Sequence, residues 1–141
     1  GAAAVVVMSL EKAKELGITP KLTIEGYAVA GFDAELMGYA PRFSSEKLAD
    51  KLKIDLRTVD MFEINEAFAS QAFAVSRDLG LDMDKVNIYG GGISIGHPIG
   101  ATGAILTVKV LYELMHTAKK DAMISMCIGG GQGISMYFTK Y

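Results

Sequence analysis

The chain has 141 residues, of which 50% are hydrophobic, and its formal net charge is −2. This length is enough for one domain with a hydrophobic core, and the lack of a basic excess argues against nucleic-acid binding. The single cysteine, Cys127, excludes a disulfide within the chain and favours a reducing, cytoplasmic compartment. Neither histidine stands at metal-ligand spacing from it, and no apolar run is long enough to span a membrane.

The first third of the chain predicts two strands and one helix. Residues Ala2–Met8 form a short apolar run that predicts a strand covered on both faces. Ser9 is a suitable N-cap for a helix that ends at Gly17. Leu22–Phe32 is rich in β-formers and predicts a second strand, and residues 33–43 predict a loop or short turns around Pro41. A start inside a buried strand, without Met, indicates a fragment of a longer chain.

The middle of the chain predicts a helix, a strand and a second helix. Ser44 or Ser45 is expected to cap a short helix that includes Leu48 and Leu52. Residues 61–65 predict a strand, and residues 66–80 predict a helix. The apolar face of that second helix is expected to contain Phe68, Ala72, Val75 and Leu79.

The last part of the chain predicts three strands and a buried helix. Residues 86–90 are a strand candidate, and Thr102–His116 is apolar on nearly every side, which predicts a helix buried in the middle of the structure. Residues 122–128 and 134–141 predict two strands joined by a glycine turn, as in a hairpin. Strands and helices therefore alternate, and the fold class is α/β with layered packing.

Three polar or reactive residues occupy equivalent places in these elements. Asn65 ends one strand, His97 follows the 86–90 strand candidate, and Cys127 ends a third strand. Ligand sites in α/β sheets form at the carboxyl ends of strands. We therefore expect the three side chains to converge, although they are about thirty residues apart in sequence.

Each of the three has a structural alternative. Asn65 alone is a good N-cap for the helix that follows it. His97 could be a turn histidine, although Gly96 and Gly100 leave room for a ligand and a nearby helix N-terminus favours the neutral imidazole. A lone buried cysteine such as Cys127 is usually an inert small hydrophobe.

The glycines around these residues match no phosphate-binding or hydrolase motif. The stretch GGGISIGHP has no Lys-Ser/Thr pair of a P-loop, and neither glycine cluster matches G-x-G-x-x-G. A G-x-S-x-G elbow is also absent. Gly129, Gly130 and Gly131 could instead present backbone N–H groups as an anion-binding nest. Their position directly after Cys127 favours a reactive role for this thiol.

Three segments resemble the C-terminal half of thiolases. They are NEAFA at 65–69, GGGISIGHPIGATGA at 90–104 and CIGGGQG at 127–133, and the opening GAAAVVVMS is similar to a further family segment. One departure is NIYGG, in which Tyr89 stands where the family usually has Asn. The resemblance implies a layered α/β fold with a mixed five-stranded sheet. Residues 1–20 would be a remnant of the N-terminal domain, and residues 21–141 the C-terminal domain.

The resemblance also implies a role for each candidate residue. Cys127 matches the acid/base cysteine, and His97 matches the residue that activates the nucleophile and donates to the thioester oxygen. Asn65 matches the residue that holds a water in the same oxyanion hole, and the Gly129 N–H matches a donor of the other hole. The tunnel for the pantetheine arm would include Met37, Ala67 and Phe68, for which ordinary packing is the alternative.

The implied enzyme uses coenzyme A thioesters as substrates, with no cofactor and no metal. It is a homodimer or homotetramer when complete, and its nucleophilic cysteine lies in the N-terminal half, so this chain alone is expected to be inactive. We expect acetoacetyl-CoA chemistry. The alternatives are a longer-chain 3-ketoacyl-CoA thiolase, a decarboxylating relative (disfavoured by Asn65), a non-catalytic partner subunit and an anion-binding module.

Overall fold

The structure is a computed structural model that describes all 141 residues. It contains five α-helices, four strands and three 3-10 turns. The α-helices are α1 Leu10–Glu15, α2 Ala40–Leu52, α3 Ala69–Asp78, α4 Gly92–Ile95 and α5 Thr102–His116. The strands are β1 Leu22–Gly31, β2 Phe62–Ile64, β3 Asp121–Gly129 and β4 Gln132–Lys140. The 3-10 turns are Ala34–Tyr39, Leu56–Thr58 and Met83–Lys85.

The four strands form one mixed sheet in the order β1-β4-β3-β2. The hairpin partners β3 and β4 are antiparallel, as are β1 and β4, whereas β2 runs parallel to β3. The α/β class with a mixed sheet is thus confirmed. None of the helices combines the length and the hydropathy of a membrane-spanning segment.

The sheet has four strands because residues 86–90 do not form the predicted fifth. Only one isolated bridge, between Phe62 and Val86, is present. Asn87 has a φ of +49°, in the left-handed region, which turns the backbone away from β2. Its side chain replaces the next ladder pair: Oδ1 accepts from the Ile64 N–H at 2.8 Å, and Nδ2 donates to the Ile64 carbonyl at 2.9 Å.

The N-terminal strand prediction is also wrong. Residues 2–8 have no strand pairing, and Val6 is 85% exposed, because no neighbouring strand lies beside them. The next prediction is confirmed: the Ser9 hydroxyl caps α1 by accepting from the Lys12 N–H at 3.2 Å. The helix is short, and Ala13 is its buried residue.

Helices cover the two faces of the sheet, and a separate apolar cluster lies on each face. On the face of α2 and α3 the buried residues are Ala28, Leu48, Val59, Phe62, Ile64, Val75, Leu81, Met123 and Tyr137. On the face of α5 they are Met61, Leu106, Val110, Leu114, Ala122, Ile124 and Phe138. Within β3, Met123 and Ile124 belong to opposite clusters, as the alternation of a strand requires.

Only one face of α5 is buried, so the prediction of burial on every side is wrong for this chain. Leu106, Val110 and Leu114 are at most 3% exposed, but Tyr112 is 55% exposed and Met115 is 42% exposed. The outer side of α5 has no layer packed on it within these 141 residues.

Ser44 and Ser45 are interior residues of α2 and not its caps. The helix begins earlier, at Ala40, with Pro41 in its first turn, where the missing N–H costs nothing. The two serines reach the sheet and form a hydroxyl cluster with Ser125 and Ser135, in which Ser135 Oγ lies 2.7, 3.0 and 2.8 Å from the hydroxyls of Ser44, Ser45 and Ser125. This cluster fixes α2 on β3 and β4 through polar contacts.

The outer edge of β1 is covered by lysines of α2. Lys47 Nζ donates to the Val29 carbonyl at 2.9 Å, and Lys51 Nζ donates to the Tyr27 carbonyl at 3.2 Å. The Lys51 ammonium also lies over the Tyr27 ring, 5.4 Å from its centre. Two carbonyl groups of the edge strand are therefore satisfied by side chains.

Below α5 lies a buried charge cluster of Glu63, Lys109 and Glu113. Lys109 Nζ donates to Glu63 Oε2 at 2.6 Å and to the Gly90 carbonyl. Glu63 Oε1 and both Glu113 carboxylate oxygens are buried without a partner. Burial raises the pKa of Glu63 to about 8 despite the opposing effect of the Lys109 ammonium, and the charge of Glu113 adds to the rise.

Ser135→Ala should lower the free energy of unfolding by about 1–3 kcal/mol, because three buried hydroxyls each lose a partner. Urea unfolding of the purified chain measures this. The matched control is Ser70→Ala, an exposed serine in α3, for which we expect a change within about 0.5 kcal/mol. Equal midpoints for the two variants would contradict the role of the cluster.

Glu63 should make the fold less stable as pH rises from about 5 to about 8. The folded state keeps a proton on Glu63 that the unfolded state has already lost, so unfolding becomes easier by up to about 1.4 kcal/mol per pH unit. Glu63→Gln should remove this decline. Urea unfolding at several pH values, with the exposed Glu15→Gln as control, measures it; parallel pH curves for wild type and Glu63→Gln would refute the assignment.

Candidate active site

Asn65 and Cys127 both lie at the carboxyl ends of the parallel neighbours β2 and β3. Asn65 contacts His97 there, whereas no hydrogen bond joins the Cys127 thiol to either residue. Asn65 directly follows β2, and its N–H donates to the Ser125 carbonyl at 2.8 Å, which extends the parallel ladder by one residue. Asn65 is 2% exposed and Cys127 is 7% exposed. The alternative that Asn65 caps the next helix is wrong, since α3 begins at Ala69 and Phe68 is its N-cap.

The side chain of Asn65 meets the imidazole of His97, as predicted. Asn65 Nδ2 lies 3.4 Å from His97 Nε2 and 3.5 Å from Nδ1. Nearly equal distances to both ring nitrogens mean that the amide approaches the ring without pointing along one lone pair. The amide N–H groups therefore remain available for a further acceptor.

Thr102 determines the tautomer of His97. Thr102 Oγ1 donates to the Pro98 carbonyl at 3.0 Å and lies 2.7 Å from His97 Nδ1. Because a hydroxyl has one proton, both contacts are hydrogen bonds together only when Oγ1 accepts from Nδ1–H. In the neutral imidazole this leaves Nε2 without a proton, as a base. Gly96 and Gly100 leave open space on either side, since an added Cβ at either residue would meet no atom within 4 Å.

Cys127 is in an environment that favours the neutral thiol. Burial raises its pKa, and a hydrogen bond from the backbone opposes this effect. At neutral pH the side chain is therefore a proton donor, and its thiolate, once formed, is a stronger base than an ordinary thiolate. The lowered pKa that would favour a resting thiolate is absent.

The glycines after Cys127 serve backbone geometry and packing. Gly129, Gly130 and Gly131 all have positive φ angles, 113°, 57° and 80°, so the alternation of right- and left-handed residues that forms an anion nest is missing. An added Cβ at Gly131 would meet the Phe32 carbonyl oxygen, and one at Gly133 would meet Ala40. An added Cβ at Gly129 would meet no atom within 4 Å, so open space borders this residue.

Glu66 and Asn87 hold the glycine-rich loop (residues 90–100), and the sequence analysis missed them. Glu66 Oε2 accepts from the Ile93 N–H at 3.0 Å, and Oε1 accepts from Asn87 Nδ2 at 3.1 Å. Added Cβ atoms at Gly91 and Gly92 would meet Glu66 at 2.6 and 2.9 Å, so these glycines allow close approach. Glu66 lies within the motif NEAFA and Asn87 within NIYGG, and these positions were the sequence signal for a role of the two residues at the site.

The predicted substrate-contact residues lie on two neighbouring segments. Met37 is half-buried in the 3-10 turn Ala34–Tyr39, which packs on α3 through Gly38 against the Gln71 side chain. Ala67 is half-buried, and Phe68 is 60% exposed, so Phe68 is not part of the apolar face predicted for α3. An exposed aromatic ring beside the site fits a contact residue better than a core residue.

A family model described as "Thiolase, C-terminal domain" matches residues 18–140. This chain belongs to the thiolase family. Over 136 residues it is 49% identical to an acetyl-CoA acetyltransferase of Cupriavidus necator, covering 96% of this chain and 35% of that protein. The resemblance found in the sequence motifs is therefore confirmed.

Solved thiolase structures have the same fold. The chain superposes on the Bacillus anthracis acetyl-CoA acetyltransferase with a TM-score of 0.92 and 44% identity, covering 95% of this chain and 34% of that one. It superposes on human mitochondrial 3-ketoacyl-CoA thiolase with a TM-score of 0.92 and 40% identity, covering 94% and 34%. The chain thus spans about a third of the length of the thiolases it matches.

Thr102→Val should remove the preference for the Nδ1–H tautomer of His97, because Nδ1 loses its acceptor. Nitrogen-15 NMR of the imidazole distinguishes the tautomers, and we expect the populations to move towards those of a free histidine. Thr102→Ser keeps the hydroxyl and should retain the wild-type spectrum. An unchanged tautomer in Thr102→Val would show that another group orients the ring.

Proposed function

We propose that this chain is the C-terminal part of an acetyl-CoA acetyltransferase. The complete enzyme would condense two molecules of acetyl-CoA to acetoacetyl-CoA and catalyse the reverse thiolysis. The arrangement of Asn65, His97 and Thr102 beside the strand that carries Cys127 is the main support. The identity of 49% to the Cupriavidus necator acetyltransferase favours the short-chain substrate.

His97 acts in this proposal first as a base and then as a donor. With Nδ1–H bound to Thr102, Nε2 accepts the proton of a nucleophilic cysteine supplied by the N-terminal part. The resulting imidazolium can donate to the thioester oxygen. The Asn65 amide donates, directly or through a water, to the same oxygen, where aligned donors stabilise the enolate.

Cys127 carries the proton at the α-carbon. In thiolysis the cysteine nucleophile attacks the 3-keto carbon, the C2–C3 bond breaks, and the Cys127 thiol protonates the α-carbon of the leaving acetyl-CoA enolate. Coenzyme A then attacks the acyl-enzyme. In condensation the Cys127 thiolate removes the α-proton instead. The raised pKa suits both steps, since it provides a donor at neutral pH and a strong base in reverse.

The remaining parts of the proposal concern the complete protein. Relatives are about three times as long, so an N-terminal segment would supply the nucleophile and most of the coenzyme A site, and residues 1–20 would be the end of its domain. Met37, Ala67 and Phe68 contact the pantetheine arm, and the Gly129 N–H donates to the acyl-enzyme oxygen. The enzyme needs no cofactor or metal and works in the cytoplasm as a homodimer or homotetramer.

A second candidate is a thiolase for longer 3-ketoacyl-CoA substrates. The superposition on the human 3-ketoacyl-CoA thiolase is as good as that on the acetyltransferase, with TM-scores of 0.92 for both. A non-catalytic partner subunit is less consistent with the chain, because Asn65, His97 and Cys127 are all present.

The decisive experiment joins this chain to the N-terminal two-thirds of the Cupriavidus necator enzyme and measures thiolysis of acetoacetyl-CoA and of a long-chain 3-ketoacyl-CoA. We expect activity with acetoacetyl-CoA, lowered by about 100-fold or more in Cys127→Ala and in His97→Asn. The matched control is His116→Asn, an exposed histidine at the end of α5, which should leave activity unchanged. The 141-residue chain alone should show no turnover and no acetyl adduct on Cys127 by mass spectrometry.

Three outcomes would contradict this proposal. A fusion that folds as well as the parent enzyme but has no thiolase activity would exclude the catalytic role. A preference for the long-chain substrate would favour the second candidate. A stoichiometric, hydroxylamine-labile adduct on Cys127 of the isolated chain would show that this residue is itself the nucleophile.

A further inference from the structure

Lys109 joins three parts of the structure that meet next to the site. Its ammonium group donates to Glu63 on β2 at 2.6 Å and to the carbonyl of Gly90, the first residue of the glycine-rich loop. The lysine itself belongs to α5, and its side chain is 17% exposed. One buried cation therefore links the strand, the loop and the helix.

The residues of this link lie on the same faces of their elements as the residues that hold the Asn65–His97 contact. Glu63 and Asn65 are two residues apart at the end of β2, so their side chains lie on the same face of the sheet. Thr102 and Lys109 are seven residues apart on α5, two turns along the same face of the helix. Thr102 holds His97 at the first turn, and Lys109 holds Glu63 and Gly90 two turns later.

We propose that Lys109 is a positioning residue for the Asn65–His97 pair. By bridging Glu63 and the Gly90 carbonyl, it fixes the start of the glycine-rich loop relative to the end of β2, and thereby the place of the imidazole relative to the amide. This inference rests on the proposed function for its catalytic meaning, but the positioning itself is a property of these 141 residues.

The bridge to Gly90 separates this role from simple charge compensation. A lysine that only neutralised Glu63 would need no contact with the loop. At the far end of the loop, residue 97 is held by Thr102, and in its middle the Ile93 N–H is held by Glu66. The Lys109 bond to the Gly90 carbonyl adds a side-chain contact at the start of the loop, so side chains hold the loop at Gly90, Ile93 and His97.

The test uses Lys109→Met, Lys109→Arg and the double variant Lys109→Met with Glu63→Gln in the 141-residue chain. Hydrogen exchange of the Ile93–Gly96 amides reports on the loop, and nitrogen-15 NMR reports on the His97 tautomer. In Lys109→Met we expect loop exchange to accelerate about tenfold relative to amides of β3, together with loss of the Nδ1–H preference. Lys109→Arg, which keeps a cationic donor, should restore both towards wild type.

The double variant keeps the test decisive if Lys109→Met does not fold, because it also removes the buried carboxyl group of Glu63, which Lys109→Met leaves without its hydrogen-bond donor. We expect it to fold with the loop and the tautomer still disturbed. The matched control is Lys119→Met, whose ammonium donates to the Asp60 carbonyl at 2.9 Å, away from the loop; it should leave both readouts unchanged. Full recovery of loop exchange and tautomer in the double variant would show that Lys109 only compensates charge, and would overturn the inference.

Neither readout depends on enzymatic activity. A loop disturbed in Lys109→Met and restored in Lys109→Arg, with an inactive fusion protein, would refute the proposed function and leave the positioning role in place. An active fusion protein, with an undisturbed loop in Lys109→Met, would refute only the positioning role.

Discussion

The parallel pairing of β2 with β3 is the constraint on which the site depends. It consists of three residue pairs, Phe62 with Met123, Glu63 with Ile124 and Ile64 with Ser125. A shift of one residue would move every side chain of β2 to the opposite face of the sheet. Asn65 would then point towards α2 and α3 and away from His97, and Glu63 would lose its lysine. The short pairing of two strands that are far apart in sequence thus determines which side chains meet at the site.

The glycine-rich loop is ordered by polar side chains and by very little apolar packing. Its residues Ile93, Ile95 and Ile99 are 65%, 57% and 79% exposed. Carboxylate and amide groups of Glu66 and Asn65, just after β2, and ammonium and hydroxyl groups of α5 satisfy its backbone and hold its imidazole. The contacts of Asn65, Lys109 and Thr102 are partly buried, where such bonds are strong. A loop ordered in this way can keep one side open for a ligand, because the contacts that fix it come from the other side.

The sequence predicted one contact of the candidate site, between Asn65 and His97. Asn65, His97 and Cys127 were expected to converge because polar residues at the carboxyl ends of strands share one end of a sheet. Asn65 does meet His97, but residues 86–90 form no strand, so side-chain contacts of the loop and not a strand end place the imidazole. No hydrogen bond joins the Cys127 thiol to either residue. The same rule could not identify Glu66 or Asn87, since their roles depend on which backbone groups lack a partner. The family resemblance supplied the specific roles, which geometry alone leaves open.

The wrong predictions have a common physical origin in tertiary contacts. Asn87 looks like a strand residue, but its side chain takes the ladder bonds that its backbone would have made. Serine is a preferred N-cap residue, but the side chains of Ser44 and Ser45 instead form hydrogen bonds with hydroxyl groups of distant strands. Residues 2–8 have strand composition without a partner strand. At Asn87 and at the two serines, contacts with distant residues overrode the local propensity. Residues 2–8 lack the distant contact that a strand needs.

Side chains block part of each edge strand of the sheet. Lys47 and Lys51 occupy carbonyl groups along β1, and the Asn87 amide occupies the end of β2. Exposed borders of sheets are common starting points for aggregation, and lysine is a frequent means of blocking them. A further strand that paired with β1 at Tyr27 and Val29 would first have to displace both lysine ammonium groups, so pairing there costs two existing hydrogen bonds.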